Sequence, residues 1–472
     1  MRKTKIVATL GPRLRDKKAL NRLVDAGLDV ARVNFSHGNH EEHEGRIDRL
    51  REVDEDVAIM MDTQGPEVRV GYFDDTIHLE EDMDVVLTKN VEKRVDSDKK
   101  VVPIPNDKFF EALETGDEIL LDDGAIKLTV TSDGKDVEAK VLEGGELSSR
   151  KSVNLPGKDI DLGSPTEKDK KDIEFGLEKD VDFIAASFVE NADEIRRIKK
   201  ILEEHNSEAK IVAKIENSKG VENLDEIIDV SDGVMVARGD LGVEMAPSDV
   251  PLVQKKIIKK CNVHGKPVVI ATQMLQSMTE STRPTRAEAS DVANAVLDGA
   301  DAVMLSEETA TGKYPVESLS FMSAVIEKVE RSFNGSVHHT IKKQSTGVTD
   351  TICKNVWQAC RELDVDYIIV HTSSGSTAVN IAKYRPPEDI TAFTDSKKVK
   401  RQLRIVWGVE PYYIEFKEHF HDLIKETTSY LKKSGKVEDD DLLVITAGLP
   451  NTVTDITNLI EIRTVDGILS HT

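Results

Sequence analysis

The chain has 472 residues, 39% hydrophobic but only 4% aromatic, and carries 87 Asp and Glu against 64 Lys and Arg, a formal net charge of −23. That length exceeds one ordinary core and predicts two or three domains with aliphatic interiors, as parallel strands buried on both faces require. The acidic balance argues against non-specific nucleic-acid binding and acidic membranes, and favours a soluble enzyme with local cationic pockets; a salt-rich cytoplasm is the other source of such a balance. Cys261, Cys353 and Cys360 form no CxxC pair, no apolar run reaches membrane-spanning length, and Met1–Lys5 leads into a strand without a signal peptide. A cytoplasmic location is expected.

Short β-rich runs recur at Lys5–Thr9, Val30–Asn34, Ala58–Asp62, Phe183–Ser187, Ile211–Ile215, Gly233–Ala237, Pro267–Thr272 and Ala302–Ser306. Between most of them lie helical patterns such as Lys17–Ala26, Asp193–Glu204 and Pro251–Val263, with apolar residues every three or four positions. Eight such units predict an α/β fold, a (β/α)8 TIM barrel. About 120 residues separate Asp62 from Phe183, where one crossover needs about 30. That interval holds closely spaced runs at Thr76–Leu79, Val85–Thr88, Glu118–Leu121, Ile126–Val130 and Val137–Val141, parted by Asp- and Gly-rich turns. They predict an inserted all-β lid domain.

After the eighth strand, a helical segment Ser318–Val337 and a polar stretch Lys342–Val348 lead into a new alternation. It comprises a helix near Asp350–Leu363, a strand Tyr367–Thr372, a helix into Tyr384, and strands Ile390–Phe393 and Leu442–Thr446. The expected division is 1–65 and 160–335 for the barrel, 66–159 for the inserted β-barrel lid and 345–472 for a C-terminal α/β regulatory domain.

Lys214 and Glu216 end one strand on a shared face, and Asp240 follows the next strand. A cation and two carboxylates meeting at one spot suit a divalent metal beside a phosphate or enolate; a structural ion pair at a strand end is the plainer alternative. Polar residues also close other strands: Arg32, Asn34 and Ser36; Asp62 and Thr63, followed by Glu67 and Arg69; Thr272; and Ser306 with Glu308. Thr272 or Ser306 alone could be a rim hydrogen bond, but buried strands do not gather so many polar ends without something to bind.

The chain resembles the pyruvate kinase family from end to end. The resemblance rests on Thr4–Pro12, Ala31–Gly38, Asp62–Arg69, Lys214–Asn217, Met235–Gly242, Ala271–Leu275, Arg283–Glu288 and Met304–Thr309, long motifs in the family's order. It implies transfer of the phosphoryl group of phosphoenolpyruvate to ADP, followed by protonation of the enolate. Catalytic roles fall on Lys214, Arg32, Thr272, Ser306 and Glu308. Gly239 and Asp240 join Arg32, Lys214 and Thr272 in holding the substrate. Glu216 and Asp240 hold Mg2+ or Mn2+, and Asn34, Ser36, Asp62 and the Thr63 carbonyl hold K+, with Glu67 agreeing because K+-independent members tend to carry Lys there. Thr9, Pro12, Asn34, Phe35, Ser36, His37, Arg69 and Lys151 contact the nucleotide, although Lys151 by itself reads as a solvated linker lysine.

The resemblance further implies an effector site for a sugar phosphate or nucleotide at Thr372, Ser373, Ser374, Gly375, Ser376 and Thr377, a loop that could equally be a helix cap. It implies a homotetramer, with no nucleic-acid or membrane partner. Gln64 and Glu307 depart from the family pattern, as does the loop Thr446–Asn451 from the animal and yeast fructose-bisphosphate loop, and the extra C-terminal segment of some bacterial members is missing. The competing readings are a Mg2+-dependent lyase or aldolase of the pyruvate-enolate barrels and a non-catalytic phosphoenolpyruvate sensor.

Overall fold

The computed structural model describes residues 2–89, 99–133, 137–158, 160, 162–332, 347–417, 419–448 and 456–470. Eight parallel strands close into a barrel: β1 (Lys5–Thr9), β2 (Val30–Asn34), β3 (Ala58–Asp62), β4 (Phe183–Ala186), β5 (Lys210–Ile215), β6 (Gly233–Ala237), β7 (Val268–Ala271) and β8 (Ala302–Leu305). Each lies beside its sequence neighbours, and β8 pairs back onto β1. All eight expected strands are present, none shifted by more than one residue at either end.

Strand alternation sorts the barrel residues into two sets. Ile6, Ala31, Ile59, Ile184 and Ile211 share a cluster with the helix residues Leu20, Leu23, Ile195 and Ile198. Their neighbours Val7, Val30, Met60, Ala185, Val212 and Met235 therefore line the interior. The same parity carries Thr9, Arg32, Asp62 and Lys214 into the barrel at the C-terminal ends of their strands.

Among the described residues, nine strands and two helices, Asp107–Ala112 and Glu167–Glu178, lie between β3 and β4. Seven of these strands pair in the order Val68–Arg69, Ser152–Asn154, Glu118–Leu121, Ile126–Ser132, Val137–Glu143, Asp84–Thr88 and Lys100–Pro103. Just past the edge strand Val68–Arg69, Gly71 N–H donates to the Pro103 carbonyl of the opposite edge strand at 2.8 Å, so the two edges of the ladder meet. Val68–Arg69, Lys100–Pro103, Gly145–Leu147 and Ser152–Asn154 escaped the sequence reading because runs of two to four residues show no period.

The last sheet runs Val409–Tyr413, Asp389–Thr394, Tyr367–His371, Leu442–Ala447 and Leu459–Thr464, the first four parallel and the last antiparallel. Its two edge strands were not anticipated, and Pro411 is tolerated in one because an edge leaves one row of donors unused. The helix after β8 is Pro315–Ser332; the remainder of the expected segment to Val337, and all but the end of Lys342–Val348, lie outside the described residues. No helix among the described residues is long and apolar enough to cross a membrane.

This third unit packs on the N-terminal ends of the barrel strands and leaves the opposite end open. Buried Lys5 donates from Nζ to the Val409 carbonyl at 2.8 Å. Arg385 donates to both oxygens of Asp301 at 3.0 and 3.1 Å, and Arg401 Nε to Asp182 at 2.7 Å.

His371 ends a strand of the last sheet, 2% exposed, beside Phe393, Phe416 and Phe420. Burial lowers its pKa from 6.5 to about 3. The unfolded chain therefore takes up a proton first, so this residue's contribution is intact above pH 6.5 and is lost as pH falls toward about 3. Thermal midpoints of a His371→Phe variant are expected to fall less steeply than wild type over that window; parallel slopes would refute the assignment.

Candidate active site

Lys214 reaches from β5 past the end of β4 to β3. Its Nζ donates to Asp62 Oδ1 at 2.8 Å and to Ser187 Oγ at 2.7 Å, and lies 3.1 Å from Glu216 Oε1. Arg32 of β2 meets the other side of the same carboxylate, Nε to Asp62 Oδ2 at 2.6 Å, and its Nη1 donates to Thr9 Oγ1 at 3.0 Å. Asp62 has no exposure, Glu216 2% and Lys214 7%. Burial alone would discharge Lys214, but Asp62 and Glu216 hold its pKa above the ordinary lysine value. Burial would likewise raise Asp62, and Arg32 and Lys214 hold it below the usual carboxylate range. Four of the predicted residues thus form one network, with Thr9 bound to its edge.

Ser187, directly after β4, was not singled out from the sequence. Its hydroxyl donates to the Thr63 carbonyl at 2.6 Å while accepting from Lys214. Interior parity with Phe183 and Ala185 was the signal that could have found it.

Glu216 also accepts from Phe188 N–H at 2.5 Å. Its carboxyl is pushed up to about 7 by burial, with Asp240 and Asp62 adding to the effect against Lys214. Burial raises Asp240 as well. A buried carboxylate raised by burial and by a half-buried second carboxylate suits a divalent cation, which relieves the repulsion and takes hard oxygen donors. Among the described residues no His, Cys, Asp and Glu side chains form a group of three or more that could hold a metal ion. A Mg2+ site needs only one or two carboxylates, since water and substrate oxygens complete it.

Asp240 and Gly239 belong to the helix Arg238–Glu244, which opens directly from β6. Gly239 N–H, expected to meet a substrate carboxylate, donates here to Thr272 Oγ1 at 2.8 Å. Thr272 donates in turn to the Ala271 carbonyl at 2.6 Å. Thr272 and Gln273 both have left-handed backbones, φ 68° and 55°, at a cost of about 1–3 kcal/mol each. Across the barrel wall, Glu308 is fully buried and accepts from Leu275 N–H at 3.0 Å and Ser306 N–H at 2.8 Å. Burial raises its pKa, so it favours holding a proton. Among the described residues, Ser306 Oγ is buried without a hydrogen-bond partner, a hydroxyl left over for something else. Glu307, the unusual neighbour, is exposed and accepts from Gln276 Nε2 at 2.6 Å.

The remaining predicted contacts divide. Arg69 pairs with Glu67 at 2.5 Å and donates to the Arg150 carbonyl at 2.8 Å. His37 is exposed, and partial burial together with the charges of Arg69 and Arg32 lowers its pKa, which disfavours its cationic form. Lys151 pairs with Asp122 at 2.7 Å on the lid, and Pro12 is exposed at the end of the β1 loop. Phe35 is 2% exposed and its ring stacks on His43 with centroids 4.1 Å apart, inside the core, which leaves its backbone to face the mouth. Asn34 Oδ1 accepts from Ser36 N–H at 3.1 Å, and Asn34 lies in register with Asp62. Neutral oxygens with one carboxylate on adjacent strand ends fit a monovalent cation by donor type.

A cavity of about 370 Å3 opens between lid and barrel, lined among others by Glu67, Asn154, Phe188, Asp240 and Glu244. The lid touches the barrel there through Asn154 Nδ2, which donates to Glu244 Oε1 at 3.1 Å. In the last domain Ser373 and Ser374 are exposed, whereas Thr372, Gly375 and Thr377 are buried; Thr372 Oγ1 accepts from Gly375 N–H at 3.0 Å and Thr377 bonds Thr457 at 2.7 Å. Gly375, at the start of the helix Ser376–Ala382, offers no side chain to cap it, and Ser374 Oγ accepts from Ser376 N–H at 3.4 Å. In the loop Thr446–Asn451, residues from 449 on lie outside the described residues.

A barrel with a buried cation among carboxylates at its open end is the frame of an enzyme for phosphate and enolate anions. The family model described as pyruvate kinase, barrel domain, matches residues 1–319, and that described as pyruvate kinase, alpha/beta domain, matches residues 350–463. Pyruvate kinases from Staphylococcus aureus strains MRSA252 and USA300 are each 44% identical over 98% of this chain and 81% of their own. A crystal structure of a pyruvate kinase from Cryptosporidium parvum superposes with a TM-score of 0.91 at 36% identity, covering 98% of this chain and 96% of that one. The chain belongs to the pyruvate kinase family.

Removing the Ser187 hydroxyl frees Lys214 to turn toward either carboxylate. Ser187→Ala is expected to lower turnover by about tenfold or more with little change in thermal midpoint. Unchanged turnover would show that Ser187 does not aim Lys214.

Proposed function

We infer that this protein is a pyruvate kinase, transferring the phosphoryl group of phosphoenolpyruvate to ADP to give pyruvate and ATP in glycolysis. The observation that carries the reading is Lys214, buried, charged and fixed between Asp62 and Glu216 at the barrel mouth. Such a transfer depends on positioning and charge neutralisation rather than on covalent chemistry by the protein. In this reading Arg32 holds the substrate phosphate by its forked donors and Lys214 neutralises the phosphoryl group in transit. Glu216 and Asp240 hold Mg2+ or Mn2+, which supplies Lewis-acid polarisation of the substrate oxygens. Gly239 and Asp240 amides take the substrate carboxylate once Thr272 Oγ1 releases Gly239. Thr272, Ser306 and Glu308 carry the proton to the enolate; the partnerless Ser306 hydroxyl and the raised Glu308 pKa support that role.

Arg69, His37 and Lys151, with Thr9, Pro12 and the backbone of Asn34–Ser36, serve ADP. Lys151 would come over the site as the lid closes and excludes water. Asn34, Ser36, Asp62 and the Thr63 carbonyl hold K+. The division at 1–65 with 160–335, 66–159 and 345–472, the cytoplasmic location, the homotetramer and an effector site at Thr372–Thr377 complete the proposal. The exposed hydroxyls of Ser373 and Ser374, ahead of a helix start, favour a phosphorylated effector. A lyase or aldolase would not need Lys214 together with Arg69, Lys151 and a lid, and a sensor would not need its metal carboxylates.

The deciding assay is pyruvate formation from phosphoenolpyruvate, with and without ADP; formation independent of ADP would favour the lyase reading, and none at all the sensor. Lys214→Met is expected to lower turnover by about a hundred- to a thousandfold or more, and equal turnover would refute its role. Glu216→Ala should first raise the Mg2+ needed for half-maximal rate. Rates without K+ and Na+ that match those at saturating KCl would sink the K+ assignment.

A further inference from the structure

The turn after β7 is one that its own residue types disfavour. Thr272 and Gln273 sit at φ 68° and 55°, and a β-branched threonine is poorly suited to that region. With no glycine at either position, the conformation must be held from outside the turn. Arg238, the first residue of the helix after β6, supplies that hold. Its side chain is 11% exposed, and Nε and Nη2 both donate to the Thr272 carbonyl, at 3.2 and 2.8 Å. Nη1 donates to Asp291 Oδ2 at 2.6 Å, so a carboxylate on the helix Arg286–Asp298 aims the whole fork. On the other side of Thr272, the hydroxyl is bonded to Gly239 N–H and the Ala271 carbonyl.

These contacts fix both ends of one residue. A right-handed or extended Thr272 would turn its carbonyl out of the guanidinium fork and swing the hydroxyl with it. Arginine suits the task because its planar donors can grip one oxygen with two nitrogens while a third meets a carboxylate. Lysine has a single nitrogen and cannot do both in a fixed plane.

We propose that Arg238, aimed by Asp291, is a positioning residue that holds Thr272 in its left-handed turn and so keeps the Thr272 hydroxyl where protonation of the enolate needs it. This rests on the reading of Thr272 given above. Arg238 acts through Thr272 and touches no substrate itself.

Steady-state kinetics and thermal melts of the full chain test it, comparing Arg238→Lys, Asp291→Asn and Thr272→Ala. Arg238→Lys is expected to lower kcat by about ten- to a hundredfold while KM for phosphoenolpyruvate and the melting midpoint stay near wild type. Asp291→Asn should move kcat in the same direction by a smaller factor, and it decides by the same criterion if the lysine variant does not fold. Wild-type kcat in the 238 and 291 variants, with Thr272→Ala still impaired, would overturn the proposal. So would a loss of midpoint with kcat per folded enzyme unchanged, the mark of a merely structural arginine. Wild-type kcat in Thr272→Ala would instead remove the reading of Thr272 itself, and the inference with it.

Discussion

Lys214 can stay buried and charged inside the barrel only because Asp62 and Glu216 stand on either side of it, and neither carboxylate could be buried there without a cation. Breaking such a set by removing one partner typically costs about 3–5 kcal/mol, so the charges hold one another in place. They come from two strand ends, β3 and β5, with the Ser187 hydroxyl after β4 bonded between them, and a closed barrel is what brings these groups within 3 Å. An anion arriving at the mouth meets cations already held in place by their carboxylates, while Gly239 N–H must first leave Thr272 Oγ1.

The two ends of the barrel have separate duties. Lys5 stands on the same interior column as Val7 and Thr9, yet its amine is spent on the Val409 carbonyl of the C-terminal domain. Asp182, which Arg401 holds from that domain, also accepts from Ile59 N–H in β3. The strand that carries Asp62 to the mouth is thus tied at its other end to the C-terminal domain. At the open end, helix Arg238–Glu244 touches both halves of the site: its first residue grips Thr272 and its last accepts from Asn154 of the lid.

The barrel was legible in the chain because its strands are apolar runs of ordinary length at regular spacing. The polar residues that end those strands were legible for the same reason: a polar side chain at an interior position stands out against Val, Ile and Ala. Several short lid strands were not, since two to four residues carry no period, and Pro411 argued against the strand Val409–Tyr413, which its place at a sheet edge permits. The place of the Phe35 ring was not legible, because its motif neighbours carry polar side chains while its own ring turns into the core against His43. Ser187 was passed over because one serine closing a run of Phe, Ile and Ala looks like the first residue of a loop.

The order of residues by itself determined which strands exist, which face each side chain takes and which charges occupy the strand ends, because these follow from periods of two and from the cost of burying polar groups. Only the tertiary structure decided that Lys214 crosses β4 to reach Asp62, that Arg238 grips the Thr272 carbonyl, and that Gly239 N–H is already bonded. Those outcomes depend on distances between segments remote in the chain and on a left-handed turn that threonine and glutamine do not announce. Periodicity fixes a direction for each side chain, and closure of the barrel sets what stands at the end of that direction.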